Sequence, residues 1–119
     1  MANAKEILND IMTLDGALCC SIVDSKSGMM LESAGTGLNL EMASAGNTEV
    51  VRSKLKTMEI LGLDDYITDI LITLGKQYHI IYLIPAVKGA FVYAVLDINK
   101  ANLAMARRKI QDVGATLKI

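Results

Sequence analysis

Apolar residues fall along this chain in two rhythms, every three or four positions in some blocks and every two in others. The first block, residues 3–14, predicts a helix. Ile7, Leu8, Ile11 and Leu14 share a face, Asn3 stands at the cap, and Glu6 follows three positions later, as a capping box requires. Asp15 and Gly16 are expected to end it. Residues 17–24 read as a strand, with Leu18, Cys20 and Ile22 on one face and Ala17, Cys19 and Val23 on the other. Apolar residues on both faces imply that both are covered. Ser25, Lys26, Ser27 and Gly28 form a hairpin turn. Residues 29–34 return as a short strand whose Glu32 suits a sheet edge.

After the loop Gly35-Thr36-Gly37, a long helix is expected over residues 39–61, its better face formed by Ala43, Asn47, Val50, Val51, Lys54, Leu55, Met58 and Leu61. Gly46 interrupts it, which suggests a kink or a close packing contact. Residues 66–74 predict a third strand, entered through Asp64-Asp65 and closed by the turn at Gly75-Lys76. Two strongly apolar strands follow, over residues 78–84 and 90–97, joined through Pro85 and a turn ending at Gly89. A helix over residues 100–113 closes the chain, with Leu103, Ala106, Ile110 and Val113 inward and Gly114 as its stop. Arg107, Arg108 and Lys109 are expected to complement its dipole.

Short turns make each hairpin antiparallel. The most apolar strands, the first and fifth, belong at the centre, which gives one five-stranded antiparallel sheet in the order 2-1-5-4-3. The long helix is expected alone on one face and the two terminal helices on the other, an α+β fold in a single domain spanning residues 1–119.

Composition narrows the function. Hydrophobic residues make up 52 % and aromatic residues 4 %, with no Trp, so the core must be aliphatic with Met as filler. A net charge of −1 offers no electrostatic reason to expect nucleic acid or an anionic membrane as partner. The longest apolar run, residues 90–96, falls far short of the roughly 18 residues of a membrane span. The first residues lack the apolar centre of a signal peptide, and the cytoplasm is the expected location.

Candidate chemistry is sparse. Gly35-Thr36-Gly37 begins like a phosphate-binding glycine loop, but Leu40 stands where the third glycine belongs and the preceding strand is part of a hairpin, so the segment reads as a flexible approach to a helix. His79 has no second histidine to ligate with and reads as a surface strand residue. Cys19 and Cys20 lack a neighbouring positive charge and read as small buried hydrophobes. Asp24 and Asp97 end strands and read as turn caps; Asp64-Asp65 reads as a solvated turn rather than a cation site. No catalytic, cofactor-binding or metal-binding residue is expected. The third strand is the informative feature. It is an edge by the order above, it is rich in β-branched residues, and only Asp69 blunts it. Such an edge invites a second strand. We expect a homodimer through Ile67, Ile70 and Ile72, helped by Val50, Val51, Lys54 and Met58 on the long helix.

The chain resembles the roadblock/dynein light chain domain family over about residues 7–110. The resemblance rests on Leu14-x-Gly16 before an apolar strand, the turn Val23-Asp24-Ser25-Lys26-Ser27-Gly28, the long middle helix, Gly89-Ala90-Phe91-Val92 and Asn102-Leu103-Ala104-Met105-Ala106-Arg107. It implies a profilin-like sandwich and a small cytoplasmic dimer that is not an enzyme and serves as a platform for a Ras-like small GTPase. On that footing the partner would meet the paired long helices, near Asn47 and Arg52. A scaffold for a non-GTPase signalling or motility partner and a ligand sensor on the same fold stand as alternatives.

Overall fold

The computed structural model describes residues 2–118; Met1 and Ile119, which the single-domain reading takes in, lie outside the described residues. The elements run α1 (Ala4–Ile11), β1 (Ala17–Asp24), β2 (Met29–Gly35), α2 (Leu40–Ile60), β3 (Asp69–Thr73), β4 (Gln77–Leu83), β5 (Ala90–Asp97) and α3 (Leu103–Gly114). The strands form one antiparallel sheet in the order β2-β1-β5-β4-β3, as the apolar content of β1 and β5 predicts.

Two cores flank this sheet. On one face Ile7, Leu8 and Ile11 of α1 and Ala106 and Ile110 of α3 pack on Cys20, Ile22, Ile80, Val92, Ala94 and Leu96. On the other, Leu40 and Val51 of α2 pack with Cys19, Val23, Ile81, Phe91, Tyr93 and Val95. At about 25 cal/mol per Å² of apolar surface removed from water, these two layers are the main stabilising term. The capping box at α1 is present: Asn3 Oδ1 accepts from Glu6 N–H while Glu6 reaches back to Asn3 N–H.

Four local expectations need correction. The first helix stops at Ile11; Leu14 and Gly16 belong to successive turns, with Leu14 N–H on Ile11 O and Ala17 N–H on Leu14 O. In β1, Ala17 packs with the α1/α3 core and Leu18 with the α2 core, the reverse of strict alternation. Ala17 opposes Leu96 and Cys19 opposes Val95, so Leu18 is an unopposed bulge residue that flips the faces before it. The third strand covers only Asp69–Thr73, and residues 63–68 take no regular structure. Gly114 is the last residue of α3 rather than a left-handed stop. A Cβ there would stand 2.6 Å from Tyr82 Cε2, so the glycine lets α3 rest directly on a β4 side chain.

The long helix also seats differently. Its buried residues are Leu40, Ser44, Thr48, Val51 and Met58, while Leu55 and Leu61 are exposed. Ser44 and Thr48 return their hydroxyls to the carbonyls of Leu40 and Ser44, 2.6 and 2.8 Å away, so small residues can face the sheet without leaving those hydroxyls unpaired. Gly46 meets no atom within 4 Å, so no close packing contact explains it.

Candidate functional site

The sheet has two outer strands, and they are defended unequally. β2 carries a bulge: Val23 opposes Met30 and Ile22 opposes Glu32, leaving Leu31 unopposed. Lys5 reaches from α1 to Ser33 O at 2.8 Å and lies beside Glu32. A bulge and a lysine are what blunt a sheet margin. β3 has neither. Its one charge, Asp69, is turned away: the carboxylate is 7 % exposed and held by Arg107 of α3, Nε on Oδ2 at 2.9 Å and Nη2 on Oδ1 at 2.8 Å. Asp69 therefore ties the strand to α3 instead of guarding its margin. Ile67, Ile70, Leu71 and Ile72 are half-buried. Ile70 packs into the α2 core, and Ile72 lies opposite His79.

On α2, Glu49, Val50, Ser53, Lys54 and Thr57 line an open groove of about 480 Å³. Val50 and Lys54 are residues expected at a dimer interface; Glu49, Ser53 and Thr57 were not part of that expectation, although their spacing of four places them on one helical ridge. Val51 and Met58 are buried in the chain's own interior. Asn47 is half-buried, with Nδ2 on Ala43 O at 2.8 Å. Arg52 is held in place by Glu49 and by Lys26 O, at 3.0 and 2.7 Å, and keeps 47 % of its side chain exposed.

His79 is more than a surface strand residue. Its Nδ1 lies 2.9 Å from Tyr93 Oη and its Nε2 lies 2.9 Å from Gln77 Oε1. With the Gln77 oxygen as acceptor, Nε2 carries the proton and Nδ1 accepts from the tyrosine hydroxyl. Burial lowers the His79 pKa and raises that of Tyr93. The pairing was invisible in sequence because β4 and β5 bring the two rings together across the sheet.

The cysteines are free and buried. Burial, helped by the neighbouring Cys19, pushes the Cys20 thiol up to about 12, which removes it from nucleophilic chemistry near neutrality. Asp24 caps its turn through Lys26 N–H and the Ser27 hydroxyl, and Asp97 accepts from Asn99 N–H. The basic run does not serve the α3 dipole. Arg107 holds Asp69, Arg108 lies 3.7 Å from Asp112, and Lys109 lies 2.9 Å from Asp10. Gly35 has a positive φ, and a Cβ there would strike Leu18 O and stand 2.7 Å from Cys19 Cα; close backbone approach accounts for this glycine. Among the described residues no group of three His, Cys, Asp or Glu side chains is placed to hold a metal ion, and no helix is long and apolar enough to cross a membrane.

This arrangement occurs in known structures. A roadblock/LC7 domain from Streptomyces avermitilis superimposes with a TM-score of 0.82 at 7 % identity, covering 97 % of this chain and 94 % of that one. The chain has the roadblock/LC7 fold. MglB of Myxococcus xanthus shares that roadblock fold with a TM-score of 0.74 at 14 % identity, covering 92 % and 83 %. An MglB in a tetrameric arrangement gives 0.81 at 16 % identity, covering 95 % and 83 %. No protein-family model and no curated protein matches the sequence. In this fold β3 is an outer strand without the bulge and the lysine that defend β2.

Proposed function

We propose that this chain is a cytoplasmic, non-enzymatic member of the roadblock/dynein light chain family that dimerises and binds a Ras-like small GTPase. The observation that carries the reading is the free margin of β3: a β-branched edge strand whose only charge is drawn back by Arg107. Two copies joined there would continue one sheet across the pair, with Ile67, Ile70 and Ile72 at the seam. The groove at Val50 and Lys54 would then face its counterpart, and Val51 and Met58 would act indirectly by seating α2. Self-association is in keeping with the tetrameric arrangement of the MglB to which the chain is similar.

The paired α2 helices supply the platform for the GTPase, with Arg52 pre-oriented by Glu49 and Lys26 O and Asn47 on the same helix. The chain positions the GTPase's own catalytic residues or recruits the GTPase to a site; it contributes no nucleophile–base pair. Two measurements test this. Light scattering at micromolar concentration should report twice the chain mass, and a single-chain mass overturns the dimer. Pulldown with small GTPases loaded with GTP or GDP should show nucleotide-dependent capture. If none binds, the GTPase reading falls while the fold stands.

A further inference from the structure

Large apolar side chains stand in water where α2 ends. Ile60, Leu61, Leu63 and Tyr66 are 75, 63, 52 and 77 % exposed and fall within seven residues. Single exposed hydrophobic side chains need no explanation, but a run of them does. The helix end that carries this run is firmly built. Gly62 takes a φ of +69, and beyond it Leu63 N–H bonds Met58 O while Gly62 N–H bonds Glu59 O, both at 3.0 Å. This bond pair is the Schellman ending of a helix. It sets Ile60, Leu61 and Leu63 on one short turn, and even so Leu63 keeps about half of its surface in water.

The charge around the run has one sign. Residues 57–75 contain no Lys or Arg and four acids, Glu59, Asp64, Asp65 and Asp69. Asp69 is held by Arg107. Glu59, Asp64 and Asp65 are exposed and enter none of the ion pairs among the described residues. Lys56, three positions before Glu59, is exposed and does not pair with it. Asp65 Oδ1 accepts from Tyr66 N–H at 2.8 Å, which ties the acid to the tyrosine. The last turn of α2 carries no base, so the negative end of its dipole is unmatched as well.

We propose that the end of α2 docks an amphipathic, lysine- or arginine-bearing segment of a different protein. Its apolar side chains cover Ile60, Leu61, Leu63 and Tyr66, and its cations meet Glu59, Asp64 and Asp65. The apolar contact supplies affinity, while the acids select the sign of the partner and orient it. Tyr66 offers a ring face to a cation besides its apolar area. The same acids repel nucleic acid and an anionic membrane. A second copy meeting this patch with its own would set acid against acid. Ile60 lies about 12 Å along the helix from Arg52. The docking surface is therefore separate from the Asn47 and Arg52 positions and stands whether or not a GTPase binds there.

The probe is a synthetic peptide of Leu and Lys at amphipathic helical spacing, with a Leu and Glu peptide of the same pattern as its counterpart. Binding is read by fluorescence anisotropy near physiological salt, and folding by circular dichroism. Wild type is compared with three full-length variants. Ile60→Ser/Leu63→Ser removes apolar surface, Glu59→Lys/Asp64→Lys/Asp65→Lys reverses the charge, and Met105→Ser removes an exposed apolar side chain on α3 as a control. Wild type should bind the Lys peptide at least tenfold more tightly than the Glu peptide. The first two variants should each lose at least tenfold in affinity for the Lys peptide, the charge-reversed one should prefer the Glu peptide, and Met105→Ser should match wild type. Equal affinity of wild type for both peptides, or unchanged binding in the first two variants, overturns the proposal. So does a changed mass of either variant in light scattering without peptide, because a second copy then covers the patch.

Discussion

Arg107 and Asp69 are joined by two nearly parallel hydrogen bonds, 2.8 and 2.9 Å long, between the middle of α3 and the first residue of β3. The carboxylate is almost wholly buried, whereas the guanidinium is 42 % exposed. This is the fork geometry in which arginine exceeds lysine. Its structural effect is to pin the start of an outer strand to the layer behind it, so that the margin stays in place while remaining free.

Replacing Arg107 by Leu leaves that carboxylate without its partner. The expected cost is about 2 kcal/mol, the scale of a charged hydrogen bond removed from a partly buried site. Urea unfolding should show it as a lower midpoint. Amide exchange in β3 should quicken more than in β5, because the pair anchors only the outer strand.

Two glycines should respond in opposite directions. Gly35→Ala places a Cβ against the backbone of Leu18 and Cys19 at a φ of +81, and should cost about 2–4 kcal/mol. Gly46→Ala adds a methyl in open space inside a helix and should gain about 0.5–1 kcal/mol. Thermal denaturation of the two variants beside wild type checks both signs.

His79 should make stability depend on pH. Its folded pKa lies below the ordinary 6.5 because burial penalises the charged ring. In the window below 6.5 the unfolded chain therefore binds more protons than the folded one, and stability falls as pH drops through the folded value. Above 6.5 the contribution is fully present. Unfolding free energies from pH 7.5 to 5 should decline in wild type. The slope should flatten in His79→Gln, which can still hydrogen-bond but does not titrate.

Ser21 has a fully buried hydroxyl with no partner among the described residues. It lies on the α2 side of the sheet, opposite Tyr93 and Ser33. An unpaired buried hydroxyl opposes folding, so Ser21→Ala should be neutral or stabilising by about 1 kcal/mol. A loss above that in chemical denaturation would mean that the hydroxyl has a bonding partner.

What could be read from the residues alone was whatever local chemistry encodes. Asn3 and Glu6 mark a helix start, Asp24 and Gly28 mark a turn, and the unbroken apolar run of β5 marks the centre of a sheet. From these followed the element order, the strand order and the free position of β3. Tertiary structure decided the rest, because those features depend on residues far apart in sequence. The bulge at Leu18 appears only against β5, the role of Asp69 only when α3 supplies Arg107, and the His79–Tyr93 pair only when β4 meets β5. The seat of α2 followed the same rule: packing against the sheet turned Ser44 and Thr48 inward beside Leu40, Val51 and Met58 and left Leu55 exposed, a face that apolar spacing alone does not select.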